Sequence, residues 1–232
     1  NFGLNNRGVD EISGRLREIN FRIPVAISVA KTNCKETADP KVGVKDYVET
    51  LKKIKDIANI YVLNISCPNA YGGQPFNDPK LFLMLMKEVH KLRLTKPIFV
   101  KMSPDLDKKN IDEIIKISRI YGVRGFICSN LTKKDIPFEK GGISGKYLED
   151  KSDELLKYVY KRTKGEFILV GVGGIFSAKD AYKKIRLGAN LVSLVTGMIY
   201  QGPALIGEIN HGLVELLKKD GFKNINEAVG ID

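Results

Sequence analysis

Six short runs of apolar, β-branched residues punctuate the chain, at 23–30 (IPVAISVA), 60–66 (IYVLNIS), 97–102 (PIFVKM), 125–129 (GFICS), 167–172 (FILVGV) and 191–196 (LVSLVT). Each is nearly continuous in hydrophobicity, the pattern of strands buried on both faces of a parallel sheet. Between them the apolar positions recur at helical spacing. Val48, Leu51 and Ile54 form one stripe within Val44–Ile57. Similar segments cover Pro79–Leu94, Lys108–Tyr121, Ser152–Thr163, Ser177–Leu187 and Pro203–Lys219, and a helix over Val9–Ile19 opens the chain. Strand–helix alternation at this spacing predicts successive βα units with right-handed crossovers. An α/β fold results, either an open doubly wound sheet or a closed (β/α)8 TIM barrel. A barrel needs eight strands, so that reading places about two βα units ahead of Asn1.

No linker or low-complexity stretch interrupts the run, so residues 1–232 read as a single domain. Composition excludes disordered and collagen-like classes, with 43% hydrophobic and 28% charged residues, 22 Gly and 9 Pro. The opening residues carry no signal-peptide pattern, and no apolar run reaches the ~20 residues of a membrane span. Three Cys form no disulfide framework and lack zinc-ligand spacing, so Cys34, Cys67 and Cys128 read as reduced thiols. The net charge is +11, but Lys52, Lys53, Lys55, Lys183, Lys184 and Arg186 fall on polar helix faces. No basic run carries interleaved aromatics, which favours a solvated surface over a nucleic-acid footprint.

Candidate chemistry collects after the strands, where barrels place their active sites. The run at 60–66 leads into Asn64-Ile65-Ser66-Cys67-Pro68-Asn69, and the next carries Lys101 ahead of Ser103-Pro104-Asp105. The fourth delivers Ser129 and Asn130. Two glycine-rich turns follow, at 141–145 (GGISG) and 171–174 (GVGG), and the last strand ends in Thr196-Gly197. Ser177 and Asp180 have capping-box spacing for a helix. A Gly turn feeding a helix offers backbone N–H groups to an anion, so this region reads as a phosphate site or as tight turns alone. Lys101, inside a buried strand, needs either a partner such as Asp105 or an electron-rich ligand. Asn64, Asn69 and Asn130 suit a planar ligand with amides and carbonyls, or serve as turns and caps. Cys67 is the thiol best placed as base or nucleophile, whereas His90 and His211 fall in helices away from the strand ends.

In this order, FGLNNRG at 2–8, NISCPN, VKMSPDL, SN at 129–130, GGISG, GVGGI and TG at 196–197 resemble the dihydroorotate dehydrogenases. GGISGKYL, Gly202-Pro203 and GFKNINEAVG resemble the quinone-linked second class. The resemblance implies an FMN-binding (β/α)8 barrel that oxidises dihydroorotate to orotate in pyrimidine (UMP) biosynthesis. Cys67 would take the C5 proton, a hydride would pass from C6 to flavin N5, and Lys101 would stabilise the reduced ring. Ser28, Asn64 and Ser129 occupy further FMN positions, and Gly145, Gly173, Gly174, Val195, Thr196 and Gly197 the phosphate end. Gly3, Leu4, Asn64, Asn69, Asn130 and Leu131 fall at substrate positions. Three positions depart from the second-class pattern: Cys67 stands where Ser is usual, Ser28 where Asn is, and Leu131 where Thr is.

The resemblance further implies a quinone acceptor and a cytoplasmic enzyme, peripheral to the inner face of the cell membrane through a region ahead of Asn1. Two other readings are a related flavin barrel acting on another dihydropyrimidine and a non-catalytic phosphate-ligand-binding barrel.

Overall fold

The computed structural model describes residues 6–67, 71–134, 136–137 and 141–232. The chain divides into two compact units, 1–101 with 106–124 and 138–141, and 102–105 with 125–137 and 142–232.

In the first unit, α1 (Val9–Arg17) precedes β1 (Ala26–Val29), α2 (Pro40–Ile54), β2 (Ile60–Asn64), α3 (Pro79–Lys91), β3 (Ile98–Met102) and α4 (Lys108–Ile120). The strands pair in parallel and in chain order, with Ser28 opposite Val62 and Asn64 opposite Lys101. Alternation divides each strand between two faces. Leu63 and Val100 are fully buried on one face, while Asn64 and Lys101 lie on the other, half-buried. Helix α2 begins at Pro40, four residues ahead of the predicted Val44. Asp39 caps it, accepting from Lys41 N and Val42 N, and Pro40 fits the first turn because its missing N–H has no helical partner there. Gly43, inside α2, lets the Phe76 ring approach: a Cβ would sit 3.3 Å from it. Asp78 and Pro79 repeat the same start in α3. Tyr47, Leu51, Phe76, Phe82, Leu85 and Met86 fill this unit's core.

The second unit runs β4 (Gly125–Cys128), α5 (Glu149–Thr163), β5 (Ile168–Val172), α6 (Ala178–Arg186), β6 (Leu191–Ser193), α7 (Thr196–Gln201) and α8 (Leu205–Lys219). Its strands also pair in parallel and in chain order. Ile175, Ala181, Ile185, Leu205, Ile209 and Leu213 form a cluster on which α6 and α8 pack.

Two expectations change here. The run at 191–196 is a strand only to Ser193, and Thr196 starts α7, because six apolar letters suit a buried strand and a short helix equally. Lys184 is not on a solvated face: it is 1% exposed, its stem against Gly171 of β5, its ammonium donating to Ser152 Oγ and Asp153 Oδ1. The buried carboxylate offsets the cost of desolvating that cation. The other Lys and Arg residues named above are exposed or half-buried.

Candidate functional site

The first unit gathers the titratable half of the predicted site. Asn64 and Lys101 are register partners on adjacent strands and so project to the same side. Ser28 lies one residue pair earlier on that face, opposite Val62. Beyond Asn64 the chain turns, and Asn64 Oδ1 accepts from Ser66 N at 3.3 Å and Ser66 Oγ at 3.0 Å. Cys67, half-buried, follows that turn. The Tyr47 hydroxyl donates to the Asn64 carbonyl at 2.8 Å, and burial keeps that phenol protonated well above its usual range.

Lys101 feels the Cys67 sulfur. Burial holds the ammonium below its usual range, and the Cys67 sulfur opposes that only in part. Among the described residues Lys101 forms no ion pair. Its candidate partner Asp105 is held in the second unit, by Thr132 Oγ1 at 2.6 Å and Lys133 N at 2.9 Å. Sequence reasoning missed Lys31, a buried cation just past β1 whose ammonium donates to the Tyr71 carbonyl. Only a Lys after an apolar run marked it.

The second unit gathers the glycine-rich half. Gly145 takes φ +75°, and a Cβ there would sit 2.9 Å from Thr196 Cγ2. Ser144 Oγ and Thr196 Oγ1 lie 2.9 Å apart. A Cβ on Gly174 would strike Glu149 at 2.6 Å, and one on Gly197 the Ile175 carbonyl at 2.3 Å. Gly173, at φ +112°, abuts Ser152, while Val195 is exposed. No side chain caps α7. Glu149, the carboxylate nearest this cradle, is paired with Lys146 at 2.5 Å and Lys183 at 3.0 Å, so its charge is compensated. Ser129 is buried, its hydroxyl donating to the Asn130 carbonyl at 3.1 Å. Asn130 Oδ1 accepts from Leu131 N, and Leu131 packs where a Cβ on Gly142 would fall.

Gly3, Leu4 and Asn69 lie outside the described residues. Cys128 is fully buried, and that burial lifts its thiol to about 12, which suits packing rather than reaction. His90 and His211 are exposed on α3 and α8.

Residues 1–217 match the family of dihydroorotate dehydrogenases. The chain is 37% identical to a dihydroorotate dehydrogenase (quinone) of Crocosphaera subtropica, over 99% of its own length and 65% of the relative's. It is 37% identical to another of Nautilia profundicola, over 100% and 65%. It thus spans about two thirds of the length of these relatives. Among solved structures, the ligand-free dihydroorotate dehydrogenase of Eimeria tenella superposes with a TM-score of 0.90 at 25% identity, covering 99% of this chain and 72% of that one. The βα architecture is therefore that of the (β/α)8 barrels, with six strands among the described residues.

Proposed function

The chain belongs to the dihydroorotate dehydrogenase family, and from that membership we propose that it oxidises dihydroorotate to orotate in pyrimidine biosynthesis, as one FMN-binding barrel domain that passes electrons to a quinone. One observation carries the reading: a half-buried ammonium, Lys101, without a carboxylate partner among the described residues, stands beside a loop thiol, Cys67. A cation so placed is stabilised by an electron-rich ligand.

The residues present fit FMN. Gly145, Gly173, Gly174 and Gly197 sit where a Cβ would collide or the backbone is left-handed, which lets main-chain N–H groups approach a phosphate. Thr196 and Val195 border them, and Ser28, Asn64, Ser129 and Lys101 are assigned to the remainder. When bound, FMN supplies the two-electron acceptor that the oxidation requires. Cys67 is assigned to take the C5 proton, the thiolate being the reactive form of a cysteine. Asn64, Asn69, Asn130 and Leu131, with Gly3 and Leu4, are assigned to orienting the substrate through amides and backbone.

The test is an absorbance spectrum of the purified protein under anaerobic conditions. A flavin band bleached by dihydroorotate supports the reading, and a band bleached only by another dihydropyrimidine or by dithionite overturns it. Lys101→Ala should slow the bleaching by about 10²-fold, the scale of one lost electrostatic contact to developing charge.

A further inference from the structure

Past β3 the chain makes the turn Ser103-Pro104-Asp105, in which the fully buried Ser103 accepts from Asp105 N through its hydroxyl at 3.2 Å. The Asp105 carboxylate meets the chain leaving β4, and both of its oxygens are used there. Oδ1 accepts from Thr132 Oγ1 at 2.6 Å and Oδ2 from Lys133 N at 2.9 Å. Thr132 is itself fully buried, and its hydroxyl accepts in turn from Lys134 N at 3.1 Å. Residues 129–134 belong to no helix or named strand, yet each of their backbone N–H groups is donated. Ser129 N reaches the Val172 carbonyl at 3.2 Å, Asn130 N the Met102 carbonyl at 3.0 Å, and Leu131 N the Asn130 Oδ1 at 2.9 Å. Thr132 exchanges both backbone groups with Ile143, at 3.0 and 2.9 Å, and Gly142 permits that approach, since a Cβ there would fall 2.7 Å from the Thr132 carbonyl. Among the acceptors of these six amides only Asp105 carries a charge, and bonds to an ionised acceptor are the stronger kind.

We propose that Asp105 is a positioning residue for the substrate: by fixing Thr132 and Lys133 it holds Asn130 and Leu131 in place and so sets the affinity for the pyrimidine ring. This rests on Asn130 and Leu131 orienting the substrate. The two residues are suspended between anchors, the Met102 carbonyl behind them and the Asp105 carboxylate ahead. With the forward anchor gone, the Asn130 amide must be ordered anew each time a ligand binds, and that ordering subtracts from affinity. The glycine turns assigned to the flavin phosphate are built separately, around Thr196, Glu149 and Ile175, and do not lean on Asp105.

The experiment titrates orotate into the full chain loaded with FMN, read by the shift in flavin absorbance, beside hydrogen–deuterium exchange of the peptide covering 129–134 without orotate. Asp105→Ala should weaken orotate binding by about tenfold and speed exchange in that peptide by about as much, the scale of one lost hydrogen bond to a charged acceptor. Its flavin content should equal the parent's. Thr132→Val, which keeps the shape and removes the hydroxyl, should produce the same pair of changes, and it is read alone if Asp105→Ala fails to fold. Thr132→Ser, which restores the donor, should stay within about threefold of the parent. Parental orotate affinity or parental exchange in Asp105→Ala or Thr132→Val overturns the proposal. So does a loss of flavin in step with the loss of orotate, the mark of a general structural role. A parent chain that takes up FMN but binds no orotate overturns the proposed oxidation as well, whereas a parent that binds it beside variants that bind equally well overturns the role of Asp105 alone.

Discussion

Cys67 and Lys184 show how burial and partner, more than residue type, decide what a side chain does. Replacing Cys67 by Ser exchanges a thiol for a hydroxyl, a far weaker acid and a poorer proton acceptor for this role. Cys67→Ser should therefore retain bound flavin, lose about 10²-fold in turnover at pH 7, and shift its pH–rate profile upward. An unchanged profile removes Cys67 from proton transfer. Lys184 has no such freedom, since burial holds its ammonium below the usual range against the pull of Asp153. Removing only the anion strands that cation. Asp153→Ala should cost about 3–5 kcal/mol in urea unfolding, whereas the double replacement of Lys184 and Asp153 by apolar residues should cost far less. Equal losses in the two proteins would show that packing, not charge, sets the price.

At the scale of elements, α6 illustrates a helix start that also shapes a turn. Ser177 Oγ accepts from Asp180 N at 3.2 Å, while Asp180 Oδ2 accepts from Phe176 N at 3.0 Å and from Ser177 Oγ at 2.9 Å. Lys146 adds a further contact to the same carboxylate. Burial raises the Asp180 carboxyl, but these donors outweigh it and hold it below the usual range. A depressed carboxyl contributes stability above its unfolded pKa, ~3.9, and loses it as pH falls through the folded value. Asp180→Ala should thus lower stability by about 1–2 kcal/mol at pH 7 and by much less near pH 2, read by thermal unfolding at both.

Continuous apolar runs made the strands legible and period-3.6 stripes most of the helices, because a strand of a parallel sheet is buried on both faces and a surface helix on one. Less legible were the start of α2, where a Gly inside the helix hid the periodicity, and α7, whose apolar letters fit a strand. Among site residues, Asn64, Lys101 and Cys67 could be read because they end apolar runs. Lys31 and Lys184 could not, since nothing in a lysine's neighbours along the chain announces that a distant carbonyl or carboxylate will accept it.

Across the whole molecule, each unit carries one chemistry. The first holds the ammonium groups and the thiol, the second the glycine cradle. Among the described residues, no helix is long and apolar enough to cross a membrane.

The facing of β2 and β3 has a genetic corollary. Since neighbouring positions alternate between the helix-packed layer and the chemical one, gaining or losing a single codon within 60–64 or 98–102 would exchange the two layers at a stroke. Lys101 would be driven among Leu63 and Val100, and an aliphatic residue would stand in its place. Such indels should be absent from any library selected for growth, while point substitutions at the same codons survive in part.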